Sequence, residues 1–132
     1  MEEVLNKIFF KIEKLEDEIK FYCRDGHLYT MQHHQDCCES VSIDDIVGDL
    51  DDLIGSEILM SECVTQEGER KSGYDDSSTW TFYKFATVKG YVTIRWYGTS
   101  NGYYSESVSF DKSRENYIDE WRDYLIDDIL KK

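Results

Sequence analysis

The stretch TWTFYKFATVKGYVTIRWYGTSNGYYSESV (79–108) decides the fold. Within it Val92, Ile94 and Trp96 alternate with Tyr91, Thr93, Arg95 and Tyr97, the two-residue period of a strand with one face in a core and the other outside. Lys89-Gly90 and the run Gly98-Thr99-Ser100-Asn101-Gly102 punctuate the stretch. Thr79 to Val88, Tyr91 to Tyr97 and Tyr103 to Phe110 therefore read as three antiparallel strands of a meander. The inward set is core, and the outward set is a polar aromatic face.

Toward the N-terminus, Ile19–Cys23 and Leu28–Gln32 flank Arg24-Asp25-Gly26-His27. An Asp-Gly pair between two β-rich runs predicts a hairpin, because glycine supplies the positive φ of a primed turn. Ile8, Phe10 and Ile12 alternate upstream and predict another strand, and residues 58–65 one more. From Ser42 the period lengthens: Ile43, Ile46, Val47, Leu50, Leu53 and Ile54 form a stripe at helical spacing, with Ser42 as a cap and Gly55 just past the end. This predicts a short helix over 43–54. Its aspartates lack the order of a calcium loop and read as a solvated face. Residues 66–78 are polar without a period and predict the one long loop.

At the C-terminus Tyr117, Ile118, Trp121, Leu125, Ile129 and Leu130 predict an amphipathic helix over 113–131. The fold class is thus α+β: mainly antiparallel β-sheet, a hairpin plus a meander, with one short internal helix and a C-terminal amphipathic helix, in a single domain over 1–132. That last helix carries more apolar positions than one sheet face needs, so a homo-oligomer, dimer or higher, is expected.

Acidic residues outnumber basic ones 28 to 15, and the net charge of −13 disfavours a nucleic-acid polymer as partner. A small anionic ligand is a different case, since a pocket needs only a few local donors. The apolar runs are too short to span a bilayer, and no membrane partner is expected. Met1-Glu2-Glu3 opens without the basic, apolar pattern of a secretory signal, which predicts a protein that stays in the cytoplasm. Cys23, Cys37, Cys38 and Cys63 match neither a zinc pattern nor a disulfide framework, so reduced structural thiols and no cofactor are expected.

Two constellations bear on chemistry. His33-His34-Gln35-Asp36-Cys37-Cys38-Glu39 concentrates metal ligands and nucleophiles, as a metal- or thiol-dependent hydrolase would require. Neighbours in an extended segment project to opposite faces, however, so few of them converge on one point. The expectation is a structural corner with no catalytic and no metal-binding residue, and the hydrolase is the alternative. The second constellation is Trp80, Phe82, Tyr83, Tyr91, Arg95, Tyr97, Asn101, Tyr103 and Tyr104. A nucleotide pocket uses such residues: stacking contributes ~1–3 kcal/mol per base and arginine forks onto phosphate. Aromatic residues are also good strand formers, and the residues alone leave an ordinary amphipathic sheet equally open.

The strings HHQDCCESVSIDDIVGDLDDLIG (33–55) and 79–108 resemble those of a family of small proteins common in bacteriophages and prophages, over about residues 8–110. The chain also resembles phage Thoeris anti-defence proteins of the signal-sequestering kind. That resemblance implies a non-enzymatic, oligomeric sponge in the host bacterium's cytoplasm, binding glycocyclic ADP-ribose made by an immune TIR enzyme, with cyclic oligonucleotides at a second kind of site. Placed on the outward aromatic face, the expected ligand-binding residues are Phe82 or Tyr91 for the base, Arg95 for phosphate, and Asn101, Tyr103 and Ser105 for ribose.

Overall fold

Two four-stranded antiparallel sheets face each other in the computed structural model, which describes residues 2–35, 38–68, 77–101 and 105–112. The strands are β1 (Phe9–Lys14), β2 (Glu18–Cys23), β3 (Leu28–Gln32), β4 (Ser40–Val47), β5 (Met60–Glu67), β6 (Ser77–Thr87), β7 (Gly90–Ser100) and β8 (Ser109–Lys112). One sheet has the order β1-β2-β3-β8 and the other β4-β7-β6-β5. Among the described residues helix is confined to 3-10 turns at Glu2–Val4 and Leu50–Leu53, and no helix is long and apolar enough to cross a membrane.

The β2–β3 hairpin forms where Asp25-Gly26 predicts it. Gly26 takes a φ of +92°, and the Asp25 side chain accepts the His27 N–H at 2.9 Å. The β7 alternation also holds: Val92, Ile94 and Trp96 are buried, while Tyr91, Thr93, Arg95 and Tyr97 face away from the core. Aromatic side chains join the sheets. Phe110 of β8 lies 5.1 Å from Phe21 and 5.6 Å from Phe85 between ring centroids, and the Trp96 indole N–H of β7 points at Met31 Sδ of β3, 3.2 Å away.

The helix expected over 43–54 is not formed; most of that segment is strand β4. Its apolar spacing has another cause. β4 carries a bulge between Ile43 and Asp45, so that Ile43 pairs with Trp96 and Ile46 with Ile94. The extra residue, Asp44, puts two side chains three positions apart on the same inner face, which imitates a helical period. Gly48 then ends the strand with a φ of +101°, and a Cβ there would come within 2.5 Å of the Tyr91 carbonyl oxygen. Only the four residues Leu50–Leu53 coil, under an Asp49 cap.

The meander needs a second correction. β6 and β7 pair through eleven residue pairs, from Ser77↔Ser100 to Thr87↔Gly90, so Gly98 to Ser100 belong to β7 and not to a turn. The last strand then pairs with β3, Met31 opposite Phe110. The chain crosses between sheets instead of returning beside β7. The helix expected over 113–131 lies outside the described residues.

Candidate functional site

Register places the aromatic residues of β6 and β7 on two faces. Trp80 lies opposite Tyr97 and Phe82 opposite Arg95 on the outer face, while Tyr83 opposite Ile94 points into the core. Buried there, Tyr83 donates its hydroxyl to the Val108 carbonyl at 2.7 Å, and burial raises its pKa. Outside, the Trp80 and Tyr97 rings are 4.4 Å apart and tilted by 41°. The Arg95 guanidinium lies 5.3 Å from the Trp80 ring centroid, within the range of a cation–π contact. Gln66, Glu67 and Gly68 of the neighbouring strand and its end complete a groove of about 320 Å³ with Trp80, Phe82 and Arg95. That volume is at the small end for a ligand site and suits a base with part of its sugar.

Arg95 is engaged already. Its Nη2 lies 2.5 Å from Asp44 Oδ2 and 3.9 Å from Asp45 Oδ2, and Nε–H donates to the same Asp44 oxygen at 2.7 Å. The bulge makes this pair, because the surplus residue of β4 is the one whose carboxylate reaches across to β7. Side chains about a third exposed on both partners keep the bond wet, so it is a surface ion pair of at most about 1 kcal/mol. An incoming phosphate can exchange with it.

The other expected site residues are distributed more widely. Phe82 and Arg95 are together, but Tyr91 pairs with Ala86 at the opposite end of the strand, about 13 Å from Arg95 by strand rise. Asn101 is exposed beyond the end of β7. Ser105 bonds Ser107, with 2.7 Å between hydroxyl oxygens, and lines a separate cleft of about 340 Å³ with Thr65, Thr79 and Glu106. Tyr103 and Tyr104 lie outside the described residues. Trp80 and Gln66, which the candidate ligand-binding set omits, are drawn into the groove by the β5–β6 and β6–β7 registers.

In the 33–39 segment His33 and Glu39 converge, whereas His34 and Cys38 are exposed. His33 Nδ1 is 2.7 Å from the Ser107 carbonyl oxygen and Nε2 is 3.1 Å from Glu39 Oε1. Their side chains are 5% and 0% exposed. The pair ties the corner between β3 and β4 to the segment leading into β8. We expect His33→Ala to cost about 1–2 kcal/mol, the loss of a part-buried bond to a carboxylate and of a more exposed bond to a carbonyl. The check is a denaturant midpoint that falls with an unchanged slope, and a midpoint equal to the parent's contradicts it. Asp36 and Cys37 lie outside the described residues, among which no three His, Cys, Asp or Glu side chains group as for a metal. Burial pushes the Cys23 thiol up to about 11 and also raises Cys63, so neither is poised as a nucleophile at neutral pH.

A feature that the charge pattern conceals is Glu106, only 8% exposed. Its carboxylate accepts bonds from Ser100 Oγ at 2.6 Å, Thr79 Oγ1 at 2.8 Å and Ser77 Oγ. Three hydroxyls from two strands thus hold one acid. The sequence marks it only as one of many acids.

The profile of a family described as a domain of unknown function (DUF7448) matches residues 2–110. No curated protein and no solved structure matches the chain.

Proposed function

Because the chain belongs to the DUF7448 family, whose description assigns no activity, its role is read from its own residues, and we propose that it is a phage anti-defence protein that sequesters a cyclic nucleotide signal without degrading it. The ligand class is glycocyclic ADP-ribose, the signal implied by the Thoeris resemblance, and the place of action is the host cytoplasm as a homo-oligomer. The observation that carries this reading is the outer-face groove, where Trp80, Phe82 and Arg95 meet. Aromatic rings beside a guanidinium are suited to a stacked base with a phosphate attached.

Binding then proceeds by exchange. The base stacks against Trp80 and Phe82, and the ribose hydroxyls find the Gln66 amide. The phosphate takes the Arg95 fork from Asp44, which turns to water. A sponge needs nanomolar affinity or better, about −12 kcal/mol, which requires a site held ready before the ligand arrives. The paired strands of β6 and β7 provide that rigidity. Both ring nitrogens of His33 are already occupied, which disfavours the hydrolase alternative built on the 33–39 segment.

Titration calorimetry with glycocyclic ADP-ribose and with cyclic oligonucleotides tests the reading. Heat-denaturing the complex should return the ligand intact. Arg95→Ala should weaken binding at least tenfold without unfolding the domain, through loss of a charge-assisted pair. Asp44→Asn should instead tighten binding, by removing the competitor for the guanidinium. No heat with either ligand class overturns the reading, and recovery of a hydrolysed product assigns the protein to the alternative.

A further inference from the structure

We infer that His33 and Glu39 share one titratable proton, and that this proton decides whether the corner between β3 and β4 stays fastened to the segment leading into β8. The device is independent of the ligand and of the oligomer proposed above.

The donor count requires it. His33 Nδ1 lies 2.7 Å from the Ser107 carbonyl oxygen, which can only accept, so Nδ1 must carry a hydrogen. Nε2 lies 3.1 Å from Glu39 Oε1. An ionised carboxylate also only accepts, so Nε2 must then carry a hydrogen as well. A neutral imidazole has one N–H, not two. Both bonds therefore exist together only with one proton more than a neutral histidine and an ionised glutamate bring, whether it rests on Nε2 or on Oε1. Flipping the ring does not remove the need, because it sets carbon atoms against both oxygens. With these side chains 5% and 0% exposed, water has little access to replace a missing bond, and an acceptor left facing another acceptor is costly.

Around the pair, the corner itself contributes His34 and Cys38, both exposed, while Asp36 and Cys37 lie outside the described residues. On the facing segment Glu106 turns its carboxylate to Ser77, Thr79 and Ser100. The charged residues of β8, Asp111 and Lys112, pair with Thr30 and Tyr29, three and four residues before His33. Where β4 meets the end of β7, Ser40 pairs with Thr99 and neither is charged.

When the proton leaves for solvent, one ring nitrogen presents a lone pair to an oxygen and one of the two bonds is lost. Both bonds belong to the folded chain, so the stability they contribute is present while the pair is protonated and is lost as pH rises. Histidine changes charge within the physiological range, where such a device responds. Ser107 stands with Ser105, Glu106 and Val108 in one wall of the cleft of about 340 Å³. It is this wall that loosens on the alkaline side.

Glu39→Gln is the diagnostic variant, since its amide can donate to Nε2 and satisfies a neutral ring without the extra proton. In NMR titrations of the full chain labelled with ¹⁵N-histidine, His33 of the variant should release its proton about one pH unit below the parent, a tenfold change in proton affinity. By linkage, the folding equilibrium constant of the parent, measured with urea, should fall about tenfold relative to the variant's between about pH 6 and about pH 8. A ring that titrates alike in the two chains, or two stabilities that fall in parallel, overturns the proposal. If Glu39→Gln does not fold, His33→Gln, which has an amide and no titrating group, is read in its place by urea alone. The same parallel fall then overturns the shared proton, and a tenfold divergence supports it.

Discussion

Replacing Trp96 by alanine is expected to cost about 3–5 kcal/mol, the range for emptying a large aromatic site in a core. Against a typical stability of about 5–15 kcal/mol this is enough to unfold much of the population. Trp96 is 1% exposed in the middle of β7, where Ile43 on one side and Thr81 on the other flank it in register. Its indole N–H reaches Met31 Sδ in the opposing sheet, so its removal leaves a void where the two sheets meet. Paired strands on both sides cannot close inward to fill it. Trp96→Phe keeps most of the ring and should lose only about 1–2 kcal/mol, the cost of a smaller void and one weak bond. Urea denaturation measures both. An alanine variant within 1 kcal/mol of the parent would contradict the two-sheet core described here.

The second large effect is expected at Glu106. Alanine there removes the shared acceptor of Ser77, Thr79 and Ser100, and a stranded buried hydroxyl costs about 1–3 kcal/mol. Ser77 and Ser100 hydroxyl oxygens are 3.1 Å apart and can bond each other, so the net loss should be about 2–3 kcal/mol. Glu106→Gln retains a carbonyl acceptor, and rotating hydroxyls can accept from its amide, so a smaller loss is expected. Hydrogen exchange localises the effect: the Ser107 and Val108 amides should open before those of β2 and β7. Uniform exchange across the molecule would show that Glu106 is not a local fastener.

Much of this architecture is legible in residues, and what is not has an identifiable cause. Asp25-Gly26 between two β-rich runs gives the hairpin because turn chemistry acts within four residues. The alternation through β7 likewise separates Trp96 from Arg95 correctly. Ile43 and Ile46 mislead because one inserted residue converts a two-residue period into an apparent helical one. The third meander strand misleads for a different reason: Phe110 belongs beside Met31, and pairing across the length of a chain leaves no local trace. The same holds for the candidate site. Phe82 and Arg95 are recognisable as outward-facing, but the hold of Asp44 on Arg95 depends on the bulge. Glu106 is buried only because hydroxyls from two strands converge on it.

The pairing of β8 with β3 has a consequence in time. Lys112 meets Tyr29 and Ser109 meets Gln32, so the first sheet cannot be completed until synthesis has passed residue 112, some eighty residues after β3. The β6–β7 ribbon, by contrast, needs only its own two-residue turn. Long-range pairing of this kind slows folding, since the chain must close a large loop before any contact rewards it. During that delay Phe21, Tyr29 and Phe85 lack Phe110, the ring that covers them in the finished protein. The nascent chain therefore passes through a state with an uncovered aromatic floor, and refolding should show a fast phase reporting β6–β7 and a slower one reporting burial of Phe110.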